Sequence, residues 1–308
     1  MVGVLAGTLA IECHADLNGN DDFNDNSKDP ARWGTDSNQG VGLLTETNGR
    51  LEYTTGGTPG DDSARRPWIL KFGSHTQNWE VQIDVGVPHL SLGTGQSVLF
   101  GLLVFPGTNF NTAITNRLTI DLAQNQNGPP PGGDEHKFRC NLAVNKVASV
   151  LATTLTTSTS AAVRVAFDAN TKVLSTFYDE DGAACGYSWT LLGATNLDTA
   201  WNLTGSSVFG VAMFGSSVSN TVASADSVFG DNFCASSGPT PTLAINLAAG
   251  SVVLSWSTNA PACHLESAGT LAPPTCWHVI TNTPGIVSTN IAVTNTISSA
   301  QQFYRLSR

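Results

Sequence analysis

The chain has 308 residues, of which only 12% are charged, about half the share near 25% usual for globular domains. Its formal net charge is −10 and its 14 lysines and arginines form no basic stripe, which argues against a nucleic-acid partner. The longest apolar run, Val98–Phe105, is broken by Gly101 and is too short to cross a bilayer, so no membrane span is expected.

Residues 1–15 are small and apolar, end on Cys13-His14-Ala15 and run into polar DLNGNDD. They read as the remnant of a secretory signal peptide, the alternative being a first β-strand. Asp21-Asp22-Phe23 follows, and its echo, Asp231-Asn232-Phe233, stands about two hundred residues later. Matched strands at the two ends of a β-domain pair to close a two-sheet sandwich, with Phe23 and Phe233 both in the core. A helical turn is expected near Asp29–Arg32, where Asp-Pro can start one.

Between the echoes lie short alternating runs rich in β-branched and aromatic residues. They are RLEYTT (50–55), WEVQIDVGV (79–87), SVLFGLLVF (97–105), RLTIDLAQ (117–124), FRCNLAV (138–144), AAVRVAFD (161–168), KVLSTFYD (172–179) and SVFGVAMFG (207–215). Gly, Pro, Asn and Asp cluster between them, as turns require. Residues 125–134 carry three consecutive prolines and must be a surface loop. The segment 236–242, SSGPTPT, has linker composition, and residues 243–308 suffice for a small second β-module. Its anchors would be Trp256, Leu265 and Trp277, with Phe303 and Leu306 on the last strand. The predicted fold class is therefore all-β, a jelly-roll sandwich over 16–235 followed by a small β-sandwich.

There are six cysteines and no C-x-x-C. With Cys13 in the leader, two pairs are the natural count: Cys140 with Cys185 and Cys263 with Cys276. An oxidising compartment would suit them. The other reading is ordinary buried thiols.

The C-terminal stretch resembles a module found at the ends of secreted bacterial proteins. The likeness is carried by Leu254-Ser255-Trp256, Leu265-Glu266-Ser267, Trp277 and Phe303-Tyr304-Arg305-Leu306. It implies an Ig-like or fibronectin-like spacer rather than a catalyst. Residues 16–235 resemble the concanavalin A-like lectin/glucanase superfamily, in its laminin-G-like branch. The residues behind this are the DDF opening with Trp33, Asn48-Gly49-Arg50-Leu51-Glu52-Tyr53, Tyr178-Asp179-Glu180-Asp181-Gly182 with Trp189, and Gly230-Asp231-Asn232-Phe233. The resemblance implies a jelly roll that binds glycans, sometimes with structural calcium.

Glycan hydrolysis needs two carboxylates facing one cleft. Glu80 and Asp84 share a strand face by alternation, but Gln82 stands between them, and a solvated sheet face accounts for them. Asp179, Glu180 and Asp181 precede a glycine and read as a hairpin tip. No G-x-S-x-G, H-E-x-x-H or phosphate-loop motif is present. No catalytic residue is assigned. The Asp16–Ser27 stretch fails the EF-hand pattern at its sixth and twelfth positions. If the end strands pair, Asp22 and Asp231 become candidate ligands of a structural calcium ion, against a simpler role in capping turns. Trp68, Tyr187 and Trp189 are candidate sugar-stacking residues, against packing at the core or its rim. The reading as a whole is a secreted or cell-surface, non-catalytic binder of polysaccharide or surface glycan. Its rivals are a structural or adhesive protein and a glycoside hydrolase.

Overall fold

The computed structural model describes residues 19–55, 61–107, 114–126, 134–182, 186–204, 206–223, 226–238, 242–248, 250–258, 263–271, 276–296 and 301–307. The proposed leader with Cys13, the prolines of the 125–134 loop and Cys185 lie outside them.

The chain opens with β1 (Gly19–Asp21), β2 (Ser37–Gln39), β3 (Gly42–Thr47), β4 (Arg50–Thr55) and β5 (Asp61–Ser74). It continues through β6 (Trp79–Gly86), β7 (Ser97–Pro106), β8 (Arg117–Gln126), β9 (Asp134–Val144) and β10 (Val147–Thr156). Then come β11 (Ser160–Asp168), β12 (Val173–Asp179) and β13 (Thr190–Asn196), the short helix α1 (Leu197–Trp201), β14 (Val208–Val218) and β15 (Phe229–Ser237). These strands make two antiparallel sheets. One runs β13-β12-β11-β6-β15-β4-β3, with β1 also on β15, and the other β10-β9-β8-β7-β14-β5-β2. The chain crosses repeatedly from sheet to sheet, the path of a double-sheet jelly roll.

Alternation decides which side chains meet. On β7 to β9 the residues Phe100, Leu102, Leu118, Ile120 and Phe138 face inward and join Val81, Ile83, Val163 and Val165 of the other sheet in one core. The eight alternating runs read from the sequence each form a strand. Three further strands lie outside those runs. β5 carries Pro67, which nevertheless pairs with Ala212 of β14. β10 is largely exposed, and β13 is an edge strand. Trp68 thus stands in a strand. β15 runs on through Ser236 and Ser237, paired with Glu80 and Trp79, so the strand takes the first residues of the linker-like stretch.

The matched ends do pair: β1 is antiparallel to β15, with Asp21 opposite Phe233. Phe23 and Phe233 are both fully buried. Trp33 packs on Trp68 at 4.7 Å and on Phe233 at 5.0 Å, and Trp68 lies 4.9 Å from Phe233. Trp68 belongs to one sheet and Phe233 to the other, so the cluster fastens both. The expected turn at Asp29 is present, with Trp33 N–H donating to the Asp29 carbonyl at 2.9 Å. The short helix α1 was not foreseen. It is capped by the Asn196 side chain, and its Asp198 meets His75 at 2.7 Å.

The C-terminal strands are β16 (Ala244–Ala248), β17 (Ser251–Ser257), β18 (His264–Ala268), β19 (His278–Val279), β20 (Gly285–Val287), β21 (Asn290–Thr296) and β22 (Phe303–Ser307). They form a four-stranded and a three-stranded sheet around a core of Val252, Leu254, Trp256, Leu265 and Val293. Trp277 is not in that core. It is half-buried, its Cβ meets Gly186 of the larger unit, and the Arg305 guanidinium lies 4.2 Å above its ring.

The cysteine pairing differs from expectation. Cys140 is a free thiol. It sits on the inward face of β9 beside Phe138 and is fully buried, so no bridge to Cys185 forms. Cys276 is disulfide-bonded, but Cys263 is not its partner.

Replacing Phe233 with alanine is expected to destabilise the protein by about 3–5 kcal/mol, as for a large ring deleted from a close-packed core. A urea midpoint barely changed from the parent's would contradict this packing. Burial pushes the Cys140 thiol up to about 11. An aromatic-disulfide reagent should therefore leave Cys140 unmodified in the native protein and reach it only on unfolding, as peptide mapping would show.

Candidate functional site

The seven-stranded sheet has an outer face as well as a core face. Side chains of opposite parity to the core set point there, and register aligns them in rows. One row runs Arg65 (β5), Phe214 (β14), Gly101 (β7), Asp121 (β8), Arg139 (β9) and Thr153 (β10). A neighbouring row places Leu103, Thr119 and Asn141 side by side, and a further one Arg117, Ala143 and Ala148.

These rows line a cleft of about 300 Å3. Its floor is apolar: Leu99, Leu103 and Phe214 belong to a small cluster separate from the main core. Polar groups from Thr119, Asn141 and Ser216 stand around it. Gly101 is required in the floor, since a Cβ there would come within 2.0 Å of the Ile120 carbonyl oxygen and 2.9 Å of the Asp121 Cβ.

Asp121 is only 1% exposed. Burial pushes its carboxyl up, and Arg139 opposes that shift, donating through Nε at 2.8 Å. The pair is a fixed internal salt bridge, and its carboxylate is not available as a nucleophile. Arg65 and Arg117 also line the cleft. Burial lowers the Arg65 pKa, and repulsion from Arg117 lowers it further. The residues of this face were missed from the sequence. The signal was there in part: Arg117, Thr119 and Asp121 alternate with the core residues of β8, but register alone sets Arg139 and Arg65 in line with Asp121.

The residues singled out from the sequence lie elsewhere. Trp68 is 1% exposed within the aromatic core, so its ring offers a ligand no surface. Tyr187 and Trp189 do come together, half-buried and stacked at 5.0 Å with 15° between planes. Arg164 lies 4.7 Å over the Trp189 ring. The two rings cover one face of each other and Arg164 lies over Trp189, so the pair is engaged in packing.

The eight-stranded sheet gathers acids that are far apart in sequence. Asp231, Asp84, Ala162 and Asp179 form one cross-strand row. Burial raises the carboxyl of Asp84, which accepts a bond from Asn232 Nδ2 at 2.9 Å. It raises Asp231 too, with Asp84 and Asp22 adding to the effect. Burial and the Asp84 charge likewise raise the phenol of Tyr187. Asp179 is pushed up to about 7, first by burial and then by its bond with Asp181. Its two oxygens accept the backbone N–H groups of Asp181 and Ser188. It therefore pins the loop that closes β12 onto β13, in keeping with the turn role read for it. Asp22 and Asp231 are neighbours, as their expected pairing required. However, among the described residues no group of three or more His, Cys, Asp or Glu side chains is placed to hold a metal ion.

No family model matches the chain, and no curated protein matches it. Solved structures similar to it include the carbohydrate recognition domain of Emp47p, 13% identical, covering 73% of this chain and 96% of that one at a TM-score of 0.44. Lectin II from Ulex europaeus is 14% identical and covers 73% of this chain and 100% of its own, at 0.45. The GH43 protein BlXynB from Bacillus licheniformis is 13% identical and covers 70% of this chain and 38% of its own, at 0.44. At these TM-scores the likenesses are distant, and the fold stands on the chain's own sheets.

The raised Asp179 carboxyl has a consequence for stability. Unfolded, the group loses its proton near 3.8; folded, near 7. Between those values the folded chain holds the extra proton, so this group's contribution to stability falls as pH rises. Asp179→Asn is expected to melt increasingly higher than the parent from pH 4 to pH 7. Parallel melting curves across that range would contradict the assignment.

Proposed function

We propose that the protein is a secreted or cell-surface, non-catalytic binder of polysaccharide, and that its ligand lies in the cleft of the seven-stranded sheet. The observation that carries this reading is the cleft's make-up: an apolar floor at Phe214, Leu99 and Leu103, bordered by amide and hydroxyl groups. Sugars present apolar C–H faces flanked by hydroxyls, and such a surface matches both.

The reading as a glycoside hydrolase is weaker. Two free carboxyl groups must flank the scissile bond, about 5–10 Å apart. In the cleft Asp121 is held by Arg139, and Asp61 is exposed at the outer end of β5. Asp62 is turned away, accepting the Val41 N–H at 2.8 Å. An adhesive role has its own support in β10, an edge strand that exposes Val147, Val150 and Leu155. Unblocked edges of this kind pair with other chains. Concentration-dependent association in sedimentation, unaffected by added sugar, would favour that reading.

Ala148 is exposed at the cleft border. Ala148→Trp is expected to reduce retardation of the protein in gels containing soluble polysaccharide by at least tenfold in apparent affinity, with melting temperature unchanged. Incubation of the parent with β-glucans, xylans and galactans should release no reducing ends above buffer. Unaltered retardation of the variant, or turnover by the parent, would overturn the proposal.

A further inference from the structure

Eight arginines lie among the described residues, and six of them have a carboxylate partner. Arg32 pairs with Asp29, Arg50 with Glu52, Arg66 with Asp36 and Glu46, Arg139 with Asp121, Arg164 with Glu80, and Arg305 with Glu266. Arg65 and Arg117 have neither an ion pair nor a side-chain hydrogen bond among the described residues. Both line the same cleft. In a chain of net charge −10 with 24 acidic residues, that coincidence is specific.

The neighbours of the two side chains keep them unpaired. Arg117 is flanked across the strands by Ala143 and then Ala148, neither of which covers or bonds a guanidinium. Arg65 is opposite Phe214 on β14. Each is half-buried, and they stand near enough for the charge of one to disfavour that of the other. The one buried carboxylate of the row, Asp121, is already engaged by Arg139. Two like charges held in one partly desolvated cleft are costly alone and favourable around an anion, and guanidinium matches carboxylate and sulfate oxygens with two parallel N–H groups.

We infer that the cleft selects an anionic sugar, a uronate or a sulfate ester, whose charged group lies between Arg65 and Arg117 while the ring rests on the apolar floor. This rests on the carbohydrate reading above and narrows it to a ligand class. Neutral sugars lack the group that would relieve the arginine pair. Short anions without a sugar ring lack the contact with Phe214 and Leu103.

The test is calorimetric titration of the full chain with length-matched oligosaccharides. The probes are oligogalacturonate and its methyl ester, sulfated and desulfated galactan oligomers, and inorganic sulfate. At least one charged oligomer should bind about tenfold or more tightly than its neutral counterpart. Arg117→Gln and Arg65→Gln should each abolish that preference, so that the charged oligomer binds no more tightly than its neutral counterpart. The ester and sulfate arms identify which anion is used. Equal binding of charged and neutral oligomers would overturn the inference and leave the carbohydrate reading intact. Inorganic sulfate binding as tightly as the charged oligomers would also overturn it, as a bare anion site. No binding of any oligosaccharide at millimolar concentration would overturn both. Retention of the preference in both arginine variants, with unchanged melting temperatures, would place the selective site elsewhere.

Discussion

The sandwich closes on Asp21. One oxygen of its carboxylate accepts the indole N–H of Trp33 at 2.7 Å, and the other accepts the backbone N–H of Phe23 at 3.0 Å. Phe23 is held at φ 52°, a left-handed conformation that a bulky residue adopts only when its surroundings enforce it. That geometry turns the Phe23 ring inward while the chain continues through the Asp29 turn to Trp33. Trp33 then meets Trp68 of one sheet and Phe233 of the other. A buried indole N–H left without an acceptor would cost roughly 1–3 kcal/mol, and Asp21 removes that cost at the point where the two sheets are joined.

Once the sheets are fixed against each other, alternation leaves each with one outer face. The eight-stranded sheet places Asp231, Asp84 and Asp179 in one row. Burial raises all three carboxyls, and a neighbouring carboxylate adds to the effect at Asp179 and Asp231. The seven-stranded sheet carries Arg65, Arg117 and Arg139 around an apolar floor. In this acidic protein two arginines without an ion pair among the described residues, Arg65 and Arg117, thus stand in one concavity. Electrostatic attraction there would act locally, since exposed charges more than about 8 Å away are screened at physiological ionic strength.

The C-terminal sheets touch the larger unit through the loop that follows Asp179. Arg305 donates to the Tyr187 carbonyl oxygen and to Glu266, and its guanidinium covers Trp277. Trp277 in turn packs against Gly186. The Tyr187–Trp189 stack is therefore part of a joint between units. This explains why aromatics that look suited to a sugar are spent on packing.

Much of the fold was legible in the sequence because strand formation is read from period-two patterns, a local property. The echo of Asp21-Asp22-Phe23 in Asp231-Asn232-Phe233 correctly foretold the closing pair. What escaped was whatever depends on partners distant in the chain. β5 accepts Pro67 because pairing with β14 supplies the rest of the ladder. β10 lacks a regular polar–apolar alternation to reveal it and is paired as the neighbour of β9. Trp68 and Trp189 are equally aromatic on paper; only packing decides that the first is enclosed and the second stacked on Tyr187 beneath Arg164. The cleft is the clearest case. Arg65, Arg117, Asp121 and Arg139 come from three strands spread over 75 positions of sequence, and nothing local links them. Composition and alternation determined an all-β sandwich with polar outer faces. Register across five strands, set by burial of the opposite faces, decided that Asp121 meets Arg139 and that Arg65 and Arg117 stand in the same cleft.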